Sequence, residues 1–131
     1  DAFIFRKADH PHWHWSLAID YTLDIRWPPD DAAEIPPLLS KSFVSLDRST
    51  GEIRLARGFH WNGANVALDT SKILRASCIH DALYQLISSQ VLPYRYKKFA
   101  DRTFRDICKA DGMGWFRRWY TYIAVCKFGL S

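Results

Sequence analysis

Apolar positions recur at two different spacings along the chain, and the change falls near residue 70. Before it, "FIFRK", "WSLAIDYTLDIRW", "KSFVSL" and "GEIRLARGF" are short runs rich in aromatic and β-branched residues, parted by Pro, Asp and Gly. Such runs predict strands. "SFVSLDRSTGEIRLA" predicts a hairpin, with Asp47, Ser49 and Gly51 supplying the turn. "WPPDDAAEIPP" holds four of the six prolines and predicts a connection, since proline lacks the N–H a helix interior needs.

After residue 70 the period lengthens to that of a helix. Ile73, Ala76, Ile79, Leu83 and Leu86 fall on one face of a helix over about 71–87, for which Asp69 or Thr70 is the expected cap. "SSQVLP" breaks it. A second helix is expected from near Pro93 to near Gly112, and a third over 115–128. A short connection makes the first two antiparallel. The expected fold class is α+β, with a small N-terminal antiparallel β-sheet packed on a three-helix unit.

With 131 residues, 48% of them hydrophobic, the chain is expected to form a single domain. Residues 1–59 are mainly β, 60–70 a loop, and 71–131 helical. No run of about 18 apolar residues is present to cross a bilayer. The sequence starts at Asp1 without Met, so processing or trimming is expected.

The net charge is +4, with cations concentrated in "YRYKKFADRTFRD" and "WFRRWY". The bland reading of such stretches is a solvated helix face; the functional one is attraction to an anionic surface. Three cysteines, Cys78, Cys108 and Cys126, are too few for a disulfide-dense scaffold and leave at least one thiol unpaired within the chain. Cys78 is read as packing rather than as a nucleophile.

"CIHDALYQL" puts titratable residues into an otherwise ordinary buried helix. His80 and Tyr84, four apart, share a face, whereas Asp81 projects about 100° away and cannot orient its neighbour. Asp101 on the second helix is the expected partner of His80, fixing one ring nitrogen and leaving the other as a general base. Asp81 then needs a cation. "HWNGANV", just upstream, suits a tight loop with inward carbonyls, and carbonyls plus a carboxylate form a hard-oxygen set of the kind calcium accepts.

"WNGAN", "CIHDALYQ" and "FADRTF", in that order and spacing, resemble the calcium loop, His-Asp helix and second-helix Asp of the phospholipase A2 superfamily, closest to its compact bacterial and parvoviral forms. The resemblance covers residues 60 to about 108. It implies a calcium-dependent phospholipid esterase in which His80 activates water, Asp101 holds His80, and Tyr84 supports their hydrogen bonds. Asp81 and the carbonyls of Trp61, Gly63 and Asn65 would hold calcium, and the Gly63 N–H would face the oxyanion. Lys97 and Lys98 would meet a phospholipid membrane surface; nucleic acid is not expected. Asn65 stands where that superfamily usually has glycine, and its disulfide framework is largely absent, with a Cys78–Cys108 bridge left open.

Other readings are weighed against this one. His60, His80, Asp81 and Asp101 contain the ligand types of an HD-type metal phosphohydrolase, although His60 follows a strand rather than lying on a helix. The helical half is also similar to small phage and prophage proteins, which implies a phage structural or host-interaction role on the same scaffold. A secreted or phage-associated setting is expected over a cytoplasmic one. As structural residues only, His80 would be a satisfied core histidine and Asp81 an ion-pair partner of Arg102 or Arg105, with Asp106 and Asp111 in solvent or in ion pairs. His10, His12 and His14 alternate, as on one strand face, which is read as a polar face more readily than as a metal site.

Overall fold

The computed structural model describes residues 2–10, 13, 15–28, 34–62 and 72–128. Among the described residues seven short strands precede three helices, so the α+β expectation holds. The strands form two antiparallel sheets, where a single one was expected. Strands β1 (Phe5–Lys7), β2 (Trp15–Leu17) and β7 (His60–Trp61) pair in the order β1-β2-β7. Strands β3 (Tyr21–Asp24), β4 (Leu38–Lys41), β5 (Val44–Asp47) and β6 (Glu52–Leu55) pair in the order β3-β6-β5-β4.

The division occurs inside "WSLAIDYTLDIRW", which carries β-prone residues throughout. Asp20 interrupts it. Its Oδ1 accepts the Arg57 backbone N–H at 2.7 Å and its Oδ2 accepts from the Arg54 guanidinium at 3.3 Å. Leu17 exchanges backbone hydrogen bonds with the Gly58–Phe59 pair, each 2.9 Å long, so β2 stays beside β7 while β3 leaves for β6. "KSFVSL" is likewise two strands rather than one. Ser42, at φ 52, and Phe43 form a tight turn between Lys41 and Val44.

The β5–β6 hairpin follows its sequence signal. Asp47 Oδ1 accepts from the Ser49 N–H at 3.0 Å and hydroxyl at 2.6 Å, and Gly51 adopts φ +79. A Cβ on Gly51 would lie 2.8 Å from Asp24 Oδ1, so the turn requires glycine twice over. On these strands Val44, Leu46, Ile53 and Leu55 point inward with period two and pack in the same core as Ala76, Ile79, Leu83 and Leu86.

Helix α1 spans Leu74–Ser88, starting later than expected; Ile73 stands at its N-cap with no side-chain cap hydrogen bond. Asp69 and Thr70, the expected caps, lie outside the described residues. Gln90 at φ 62 ends the turn after α1, and the N–H groups of Val91 and Leu92 return to the Leu86 carbonyl. A 3-10 turn at Tyr94–Tyr96, with Pro93 at its N-cap, leads into α2 (Lys97–Ala110), so the helical run starts near Pro93 as expected. Gly112 at φ +89 caps α2 as expected, with the Met113 N–H on the Cys108 carbonyl at 3.0 Å. Helix α3 (Trp115–Phe128) matches its expected span and packs on α2.

Helices α1 and α2 run antiparallel. At the open end of this pair, Arg75 donates to both Asp111 carboxylate oxygens at 3.1 and 2.8 Å and to the Tyr21 hydroxyl at 2.9 Å, tying both helices to β3. Asp111 is thus the ion-pair residue its sequence position suggests, and Asp106 pairs with Arg105 at 3.4 Å.

Candidate functional site

The antiparallel pairing sets Asp101 opposite His80 and Tyr84. His80 Nε2 lies 2.7 Å from Asp101 Oδ1, and the Tyr84 hydroxyl donates to the same oxygen at 2.8 Å. The His80 and Tyr84 ring centroids are 4.0 Å apart, as expected for two residues one turn apart, and Phe104 meets the His80 ring edge-on at 5.6 Å. Lys97 completes the cluster: its ammonium donates to Asp101 Oδ2 at 2.8 Å and to the Cys126 carbonyl at 3.0 Å.

Burial and charge decide the protonation states. Burial pushes the Asp101 carboxyl up, but donors from His80, Lys97 and Tyr84 outweigh it and hold the acid below its usual value. Asp101 is therefore a carboxylate and can only accept. The hydrogen on His80 then sits on Nε2, and Nδ1 of the neutral ring carries the lone pair. Burial lowers the His80 pKa, Asp101 opposes that, and the Lys97 charge reinforces it. His80 is 0% exposed, and its Nδ1 has no hydrogen-bond partner among the described residues. The result is a neutral imidazole with one nitrogen pinned and the other carrying a lone pair that is itself buried.

Asp81 is 7% exposed on the adjacent face of α1. A carboxylate this deep keeps its charge only with donors or a cation beside it. Arg105 pairs with Asp106 and lies over the Tyr122 ring at 4.9 Å. Trp61 is buried in β7, and its indole N–H donates to Ser77 Oγ at 3.1 Å, which fixes the end of that strand against the first turn of α1. Gly63 and Asn65, the other expected loop ligands, lie outside the described residues, as do His12 and His14. His10 is described, with its ring 5.8 Å from that of His60.

Three expectations change. Lys97, placed by the sequence at the lipid surface with Lys98, is 26% exposed and bound into the Asp101 network, whereas Lys98 is exposed. The signal was present: Lys97 and Asp101 are four apart on one helix. Cys78, Cys108 and Cys126 are all free thiols. With a rise of about 1.5 Å per residue, Cys78 lies roughly 3 Å from the level of His80 and Cys108 roughly 10 Å from that of Asp101 in the same direction, an offset too long for a disulfide. Cys78 is fully buried, and burial drives its thiol well above its usual pKa with Asp81 adding to the effect, in keeping with the packing role expected of it. Finally, the phosphohydrolase ligand set is not gathered. His60 Nδ1 is bonded to the Gly58 carbonyl and His80 Nε2 to Asp101, and no metal-ligating group of three His, Cys, Asp or Glu residues occurs among the described residues.

A family described as "Protein of unknown function (DUF1353)" matches residues 38–125. The chain belongs to the DUF1353 family. The DUF1353 match takes in β4 to β7, both helices of the antiparallel pair and most of α3, and therefore every member of the His80, Tyr84, Lys97 and Asp101 cluster. Strands β1 to β3 precede it. Comparison with curated proteins and with solved structures finds no match.

Proposed function

We propose that this DUF1353 protein is a hydrolase of phospholipid esters in which His80 is the general base. The observation that carries the reading is the state of His80: neutral, pinned at Nε2 by an ionised Asp101, and bare at Nδ1. Such a nitrogen takes a proton from water as the water oxygen bonds to an ester carbonyl carbon. The bond to the leaving alkoxide then breaks, and the imidazolium returns the proton to it, giving acid and alcohol. Asp101 holds the reactive tautomer and offsets the transient positive charge, while Tyr84 and Lys97 keep the carboxylate in place.

Calcium is the cofactor implied by the phospholipase A2 resemblance. Asp81 suits it as a hard, buried oxygen ligand, and the Trp61–Ser77 hydrogen bond starts the loop beside the same helix. With the carbonyls of Trp61, Gly63 and Asn65 it would hold the ion, which when bound supplies Lewis-acid polarisation of the ester carbonyl. Exposed Lys98, together with Trp115, Phe116, Trp119 and Tyr120 on α3, supports a membrane surface as partner. Aromatic rings and cations together favour the interface of an anionic bilayer. No helix among the described residues is long and apolar enough to cross a membrane.

A second reading, a non-enzymatic interaction scaffold of a phage-associated kind, is favoured by one observation: His80 is completely buried. Fatty-acid release from phospholipid vesicles, with calcium and with chelator, separates the two. Calcium-dependent release that His80→Ala lowers by about 10²- to 10⁴-fold supports the hydrolase. Absence of release from anionic and zwitterionic vesicles alike, by protein verified as folded, leaves the scaffold.

A further inference from the structure

Two imidazoles outside the His80 cluster meet beside the three-stranded sheet. His60 lies on β7, opposite Ser16 of β2, and His10 lies in the connection from β1 to β2. Their ring centroids are 5.8 Å apart with the planes at 72°, and both residues line a pocket of about 330 Å³ together with Phe43, Phe59 and Gln85.

Two observations point to a cation shared by the rings. The first is the state of His60. Its Nδ1 is bonded to the Gly58 carbonyl, which can only accept, so Nδ1 carries the hydrogen and Nε2 of the neutral ring carries the lone pair. Histidines that ligate metals are held in this way, one nitrogen donating to a carbonyl or carboxylate and the other left for the ion. The second is the spacing. A zinc ion stands about 2.0–2.1 Å from a ligating nitrogen and so about 3.2 Å from the ring centre behind it, which puts the centres of two rings that share it roughly 5–6 Å apart. His10 and His60 already stand at that separation.

The donors select the ion. Imidazole nitrogen suits zinc, copper and nickel, whereas calcium and magnesium require oxygen ligands, and no carboxylate lines this pocket among the described residues. No third His, Cys, Asp or Glu completes the set among them either, so the remaining positions go to water or to an oxygen of a second ligand.

We infer that His10 and His60 form an open, two-histidine site for a divalent transition cation of the zinc type. The site shares no residue with the His80 cluster and rests on neither ester hydrolysis nor calcium. Binding is therefore read without turnover.

Zinc sulfate titrated into protein carrying ¹⁵N-labelled histidine is the test. The His10 and His60 ring nitrogens are expected to shift together and saturably, with His80 unmoved, and calcium chloride at the same concentrations should move neither ring. His10→Gln and His60→Gln should each weaken zinc by about tenfold or more in calorimetry, with an unchanged circular dichroism spectrum, because each removes one of two protein ligands. Replacing His12 and His14 together by Gln should leave the affinity within about twofold, since neither belongs to the proposed set. Zinc binding that survives His60→Gln but is lost with His12 and His14 would assign the ion to the N-terminal histidine run and overturn the site. Shifts at His80 alone, or non-saturable shifts at all five histidines, the mark of an adventitious ion only, would overturn it as well. Should His60→Gln fail to fold, the wild-type ring shifts and His10→Gln still decide the question.

Discussion

Lys97 reaches Asp101 across one turn of α2 and occupies the carboxylate oxygen that His80 leaves. The two cations that His80 and Lys97 can form therefore compete for one negative charge, and the permanent one wins. Removing it should favour the imidazolium. In Lys97→Met, the His80 pKa read from imidazole nitrogen shifts is expected to rise above the wild-type value. No upward movement would mean that Lys97 contributes position alone.

Asp101→Asn keeps the size of the side chain and changes its hydrogen bonding. Its amide nitrogen must face either Lys97 or the His80 and Tyr84 donors, and a donor then meets a donor inside the protein. Breaking a buried ionic cluster in this way should cost roughly 3 kcal/mol in urea unfolding. A loss under about 1 kcal/mol, a typical net hydrogen bond, would indicate that Asp101 contributes little to folding.

Stability should fall on mild acidification. His80 has a folded pKa below the usual 6.5, so below that value the unfolded chain takes up a proton that the folded protein resists. The His80 contribution is complete above about pH 6.5 and is lost as pH falls toward the folded pKa. Denaturation midpoints measured between these limits should decline with pH in the wild type and decline less steeply in His80→Gln. Parallel slopes would assign the loss to other groups.

Gly51→Ala tests the hairpin. A left-handed φ and a Cβ placed 2.8 Å from Asp24 Oδ1 both oppose the change. The left-handed conformation alone costs about 1–2 kcal/mol, so a loss of about 2 kcal/mol is expected in denaturant unfolding. A neutral outcome would mean that the β3–β6 edge yields easily.

On the lipid side, replacing Trp115 and Trp119 together by Ser should weaken binding to anionic vesicles by about tenfold, read by co-sedimentation, because both rings stand in solvent and neither supports the core. Unaltered binding would remove α3 from the membrane contact.

The helical half was legible because its determinants are local. His80 and Tyr84 share a face by spacing alone, and a short connection was enough to bring Asp101 to them. Lys97 was equally legible by its spacing of four from Asp101, but its place in a basic run drew it to the surface instead. The two sheets were not legible. The division between β2 and β3 depends on Asp20 accepting from Arg57, 37 residues away, and nothing in a β-prone run announces so distant a partner. The N-terminus of α1 was missed for a related reason. Ile73 starts it without a side-chain cap, and its place in the core, with the Trp61 bond to Ser77, supplies the hold that a cap would give.

The Arg75 bridge to Asp111 and Tyr21 bears on time as well as shape. The α1–α2 pair is joined at one end by its connection and bridged at the other by this guanidinium, so splaying the helices there also breaks the bond to Tyr21 on β3. Local opening around His80 and Asp101 is thereby opposed by contacts to α2 and β3 together. The amides of α1 near His80 should then exchange with solvent hydrogen at the rate set by global unfolding, and whatever gives a ligand access to this centre must move at its rim while the two helices stay together.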